Sequence, residues 1–277
     1  MQIAVQFRWL GVAGIEITAG DEVLVIDPHF TRFPCWRQWI GRVRPNAALT
    51  AEKVPRCNYV LVSHAHWDHL MDAPDVMRNT GAIAMGSPNA CRLLALDGIP
   101  AERIRRIEAG ETLTLGSFRV EVIPARHLPL PLDHLFSGPL RAGLHPPLRA
   151  LDYKMDSCFS FRIRAGGVEF LNWRSVSTVG AVPADVLFVS PTARIPFYQS
   201  LLGKVQPRVV VPVHWDDFYR PLSKPIRPML TSTGKVFPRF KRLDIDGFEG
   251  TIARVAPGAR VVIPEAFRVY DTATPQA

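Results

Sequence analysis

Three histidines and an aspartate fall within six positions, His64-Ala65-His66-Trp67-Asp68-His69. Neutral imidazole and carboxylate suit zinc, iron or manganese, and hardness alone favours none of the three. The cluster follows Tyr59-Val60-Leu61-Val62, an apolar, β-branched run that reads as a buried strand ending at a sheet edge. His64 and His66, alternate residues, can point the same way from an extended turn. Asp68 and His69 sit one bend further on and can serve a second ion.

The elements that must position these side chains are short strands and short helices. Residues 3 to 28 read as a meander, with Phe7–Leu10, Gly14–Thr18 and Val23–Ile26 separated by Gly11, Gly20 and Asp21. The third strand closes on Asp27-Pro28. A helix over 75–80, a strand at Ile83-Ala84-Met85 and a Ser87-capped helix running to Leu96 follow the histidine cluster. A hairpin with a Gly116-Ser117 turn then delivers Arg126-His127. Strands Ser157–Arg164 and Val168–Trp173 flank Gly166-Gly167. Val186–Val189, a helix over 197–204 and Val209–Val213 complete the pattern. That last run ends in His214, repeating the logic of the central cluster. Two strand-rich halves, each followed by helices, imply an α/β chain with two sheets face to face and helices outside.

These residues resemble the metallo-β-lactamase fold superfamily. Its members carry HxHxDH after a strand, then a lone histidine, a bridging aspartate and a final histidine. The resemblance implies a four-layer αβ/βα sandwich in one domain over 1–277. Its two pseudo-repeated halves, about 1–127 and 157–277, are joined by a proline- and leucine-rich loop over 128–156. It also implies His64, His66 and His127 for one metal, and Asp68, His69 and His214 for the other. Asp27 would be the acceptor that fixes a ligand imidazole. Asp68, His69 and Asp27 are the expected catalytic group. The loop over 29–58 would overhang the site, making Phe30, Phe33 and Trp36 candidates for a substrate wall. The loop over 128–152 would be a lid or a lipophilic wall.

One departure matters. The bridging aspartate normally ends the strand after the Gly-Gly turn. Here that strand runs Phe170-Leu171-Asn172-Trp173-Arg174-Ser175, and no acid occurs from 170 to 184. Arg174 or Ser175 takes its place, with Asp216 or Asp217 as other sources of a bridge. Two divalent ions repel one another, so without a shared carboxylate the second binds more weakly.

The 277 residues, 47% hydrophobic, suffice for one large core. There is no 18-residue apolar run, and the start alternates like a strand, unlike a signal peptide. Four cysteines without paired or CxxC spacing suggest reduced thiols in a cytoplasm. The formal charge of +8 suggests anionic partners. The basic residues are spread along the chain without a run of five or more, which argues against a dedicated nucleic-acid tail.

In overall order, including Trp9-Leu10-Gly11 near the start and the Asp27-Pro28 first motif, the chain is most similar to the branch of ascorbate-6-phosphate lactonase and N-acyl phosphatidylethanolamine phospholipase D. That implies a zinc-dependent hydrolase in which metal-bound hydroxide attacks a small anionic or lipid-like ester, phosphodiester or lactone. Arg126 and Arg174 are candidate anion contacts. Iron or manganese could replace zinc. A nuclease is the competing enzymatic reading, and a non-catalytic binding protein with a degenerate site is the competing reading of another class.

Overall fold

A computed structural model describes residues 3–129, 133–233 and 239–272. The chain builds two seven-stranded sheets by the same recipe used twice. β1 (Val5–Gly11), β2 (Gly14–Ala19) and β3 (Glu22–Ile26) form an antiparallel meander. β4 (Tyr59–Leu61), β5 (Ile83–Gly86) and β6 (Ile104–Arg106) then add in parallel beside β3. The crossovers between these strands contain α1 (Ala47–Lys53), α2 (Trp67–Leu70), α3 (Ala73–Thr80) and α4 (Pro88–Leu96).

The second sheet opens with β7 (Thr112–Leu115), β8 (Phe118–Pro124), β9 (Phe159–Ala165) and β10 (Val168–Trp173), all antiparallel. β11 (Val186–Val189) and, after α5 (Ile195–Val205), β12 (Val209–Pro212) continue it in parallel. β13 (Leu230–Thr233) and β14 (Arg239–Arg242) form a separate ribbon. After α6 (Asp246–Val255), β15 (Arg260–Val261) closes one edge of the second sheet, and β16 (Val269–Asp271) returns to pair with β1 in the first.

The chain therefore crosses between sheets near residue 110, well before the proline-rich loop. The expected division at about 1–127 and 157–277 is not the division of the sheets. The physical reason is strand pairing: β8 and β9 flank that loop and are hydrogen-bonded neighbours. A proline-rich stretch marks a break in regular backbone, and such a break can join two strands of one sheet as readily as two halves.

Period-two alternation produces the layers. Leu24, Ile26 and Leu61 face the second sheet and join its core with Phe161, Ile163 and Phe188. Val23, Val25, Val60 and Val62 face the opposite way, onto Val76, Met77, Leu93 and Leu94 of the helices. The order is thus helices, sheet, sheet, helices, the four-layer α/β sandwich. Ser87 caps α4 by accepting the Ala90 amide, with Pro88 preset for the first turn. Gly81 closes α3 in the left-handed region, at φ 78°. No helix among the described residues is long and apolar enough to cross a membrane.

Candidate metal centre

β3, β4, β8, β10 and β12 all run toward one edge of the paired sheets, and each ends in a polar residue of interest. Asp27 follows β3, the histidine cluster follows β4, and His127 follows β8; Arg174 follows β10 and His214 follows β12. Ligand sites in α/β sheets form outside such carboxyl ends, where side chains leave the ladder and become free to converge.

The structure brings His64, His66 and His127 together, with one potential ligand atom from each lying within 4.8 Å of the others. A tetrahedral ion bound at ~2.1 Å spaces its ligands about 3.4 Å apart, so small movements would complete the shell. Hydrogen bonds already orient two of the rings. His66 Nε2 lies 3.1 Å from the Phe136 carbonyl, and His127 Nδ1 lies 2.8 Å from that of Leu128. These leave His66 Nδ1 and His127 Nε2 to face the cluster. His64 Nδ1 lies 3.0 Å from Ser63 Oγ, whereas its Nε2 is buried without any partner. A buried unpaired imidazole nitrogen is costly unless something binds it, so the residues present fit a divalent ion. Burial, reinforced by the neighbouring histidines and Arg174, holds His64 well below the usual imidazole range. Burial likewise lowers His66 to about 4 and draws His127 down. Neutral rings are the ligating form.

Asp68, His69 and His214 form the second triad, again within 4.8 Å. Here the ligands already engage one another: Asp68 Oδ2 lies 3.2 Å from His214 Nε2 and 3.5 Å from His69 Nε2. Burial alone would raise the Asp68 pKa, but His69 and His214 outweigh it and hold the carboxyl well below its usual range. The two triads adjoin, with 3.9 Å between the His64 and His69 ring centres.

Asp27 lies beneath both. It accepts the Ser63 amide at 2.7 Å and the Ser63 hydroxyl at 2.6 Å, and His69 Nδ1 at 2.8 Å. Arg174 reaches the same carboxylate, with Nε 3.7 Å from Asp27 Oδ2, and donates to the Ala13 carbonyl at 2.8 Å. Burial lowers the Arg174 pKa, with Asp27 opposing, yet a guanidinium keeps its proton in proteins. A fixed cation thus sits where sequence comparison looks for a carboxylate bridge. Ser175 does not share the position: its hydroxyl accepts the amides of Arg126 and Ser177. Asp216 is fully buried on the Val12 amide and Arg32, and Asp217 pairs with Arg227. Neither of them bridges the triads. The Arg126 side chain is exposed, and only its backbone joins the floor of the site.

Backbone strain gathers here as well. Val12, Asp27 and His214 adopt φ of 48°, 47° and 58°. For a β-branched residue this is a true outlier, and such conformations cost about 1–3 kcal/mol each. The Val12 carbonyl accepts the His214 amide at 2.6 Å, and the next carbonyl, of Ala13, holds Arg174. One strained turn between β1 and β2 therefore positions residues from two distant strands. Gly11 and Gly14 around that turn were its only trace in the sequence. Ser63 and Phe136 also escaped sequence reasoning, since serine and a loop carbonyl carry no pattern.

Of the expected wall, Phe30 and Phe33 are core residues, packed on Phe267 and Trp67, because an apolar loop beside α2 finds better burial inward. Trp36 alone is exposed. Within 128–152, Leu140, Leu144 and Leu148 pack into the outer core beside the helices.

A family model described as "Beta-lactamase superfamily domain" matches residues 23–171, more than half of the chain. The chain belongs to the metallo-β-lactamase superfamily. Among curated members, a UPF0173 metal-dependent hydrolase of Chelativorans sp. is 28% identical over 123 residues, 44% of this chain and 48% of that protein. The chain thus spans about half the length of the first such relatives it matches. A longer alignment, 24% identical, reaches 77% of this chain and 85% of a relative in Pyrobaculum calidifontis. Among solved structures, Igni18, described as a novel metallo hydrolase from Ignicoccus hospitalis, superposes with a TM-score of 0.61 at 16% identity. It covers 97% of this chain and 98% of its own, which shows the shared fold.

Proposed function

We propose that this chain is a metal-dependent hydrolase that holds one zinc ion on His64, His66 and His127. Its substrate is a small anionic or lipid-like ester, phosphodiester or lactone. The buried, unpaired Nε2 of His64, facing two pre-oriented imidazoles, carries the reading. Relatives named metal-dependent hydrolases support it. An ion bound there would supply Lewis acidity and lower the pKa of its water. The protein's own groups do the rest. Asp68, ionised at the cleft, would accept the proton of the attacking water and return it to the leaving group, while His214, hydrogen-bonded to the same carboxylate, orients it. Asp27 holds His69 in one tautomer. Arg174 adds a positive charge that favours an anionic substrate, a contact to which exposed Arg126 contributes at the rim. The lactonase and phospholipase D branch is the best guide to substrate class, and the cytoplasm the compartment that fits unpaired thiols. Nucleic acid is not the expected substrate.

The test is turnover of a panel comprising an aryl phosphodiester, an aryl ester and a phosphorylated lactone by the purified chain. Activity on at least one, lost with a chelator and restored by zinc, is expected. No activity on any of the three by fully metal-loaded protein would overturn the reading.

A further inference from the structure

The turn at Cys35–Gln38 has no buried residue, yet its sequence is Cys-Trp-Arg-Gln followed by Trp39 and Ile40. Trp36, Trp39 and Ile40 are 56%, 49% and 68% exposed. The amides of Trp39 and Ile40 both donate to the Trp36 carbonyl, so the three positions share one face at i, i+3 and i+4. Three large apolar side chains presented together to water are unusual on a surface that has no use for them.

Charge tells what covers them. Between Asp27 and Glu52 the sequence contains no carboxylate but four arginines. Arg32 is paired with Asp216 inside the protein, whereas Arg37, Arg42 and Arg44, in and just after the turn in sequence, are exposed, Arg42 while donating to the His145 and Pro147 carbonyls. Arg37 stands 5.4 Å from the Trp36 ring centre. Asp152, in the neighbouring turn, is buried and paired with Arg141, so it does not offset this charge. Aromatic rings with an adjacent aliphatic residue and a basic rim match an anionic bilayer surface, where the rings enter the headgroup region and the arginines meet lipid phosphates. The patch also adjoins the site. Trp39 packs edge-on against Phe136 at 6.0 Å, and the Phe136 carbonyl holds His66.

We propose that this face docks the protein on anionic lipid membranes through Trp36, Trp39 and Ile40, with Arg37, Arg42 and Arg44 as its electrostatic rim. The inference is independent of the reaction catalysed, since binding is measured without turnover.

Vesicle co-sedimentation tests it, with the full chain against phosphatidylcholine alone and phosphatidylcholine containing phosphatidylglycerol. Binding to the anionic vesicles, a blue shift of tryptophan emission and weakening with added salt are expected. Joint replacement Trp36→Ser, Trp39→Ser and Ile40→Ser should weaken binding at least about tenfold, given the apolar area removed. Arg37→Gln with Arg44→Gln should remove most of the salt-dependent part, and Trp36→Phe with Ile40→Leu should preserve binding. Equal thermal melting of the variants excludes unfolding as the cause. Failure of the unmodified protein to bind anionic vesicles would overturn the proposal. So would undiminished binding by the triple variant. A dimer in light scattering that the triple variant dissolves would also refute it, assigning the face to a second copy.

Discussion

The two histidine triads at this strand edge are built from similar residues and are prepared for different tasks. In the first, two rings are steered by carbonyls outside the cluster, and the third leaves a buried nitrogen bare. In the second, Asp68 already engages both His69 and His214. Arg174 adds a fixed cation near both, partnered by Asp27. Ligand identity alone therefore does not decide metal occupancy. An ion entering the second triad must break the Asp68–His214 hydrogen bond and approach a buried charge of its own sign, at a cost that low local polarity magnifies. The first triad meets the same cation, but its rings bond to groups outside the cluster, so an ion arriving there displaces no contact between its ligands.

The largest expected effect breaks the favoured member of the pair. His64→Ala combined with His66→Ala should reduce zinc affinity well beyond the about 10–100-fold typical of losing an outer partner. Competition against a fluorescent chelator reads this directly. Next, Arg174→Asp should allow a second ion to bind, exchanging a cation for a ligand carboxylate, while Arg174→Met should give a smaller gain by removing charge alone. Isothermal titration with zinc separates the two variants. Asp27→Asn tests the shared floor. Asparagine tolerates the positive φ that alanine would not, so the loss isolates the carboxylate. Zinc affinity should fall about 10–100-fold, with some loss of stability because buried Arg174 is left without its partner.

Acid sharpens the same contrast. His66 is held at about 4 in the folded protein by burial, against an ordinary value near 6.5. Between those values the unfolded chain binds a proton that the folded chain refuses. Stability of the metal-free protein is therefore full above pH 6.5 and declines as pH falls toward 4, by about 3 kcal/mol at most from this residue. Denaturant midpoints across that range check the direction. The smallest effect belongs to Ser175→Asp, which should leave metal content unchanged because that hydroxyl caps two amides away from the ions.

Much of this was legible in the sequence for a physical reason: ligands cluster where a buried strand ends, and both signals are local. The strand before His64 and the β-branched run before His214 mark their sites, and two strand-rich halves each followed by helices point to the layers. What stayed hidden was non-local. Asp216 could be read as a candidate bridge because nothing in the sequence announces its pairing with Arg32, 184 positions earlier. Phe30 and Phe33 looked like wall residues because an aromatic residue in a loop reads alike whether it faces in or out. The edge strands β15 and β16 are two and three residues long, too short for any periodicity to reveal them.

Metal stoichiometry tests the central claim most directly. Mass spectrometry of the protein after equilibration with stoichiometric zinc and removal of free metal should find about one ion per chain, rising toward two in Arg174→Asp. Two tightly held ions in the unmodified protein would contradict it, as would retention of the single ion after loss of His64 and His66.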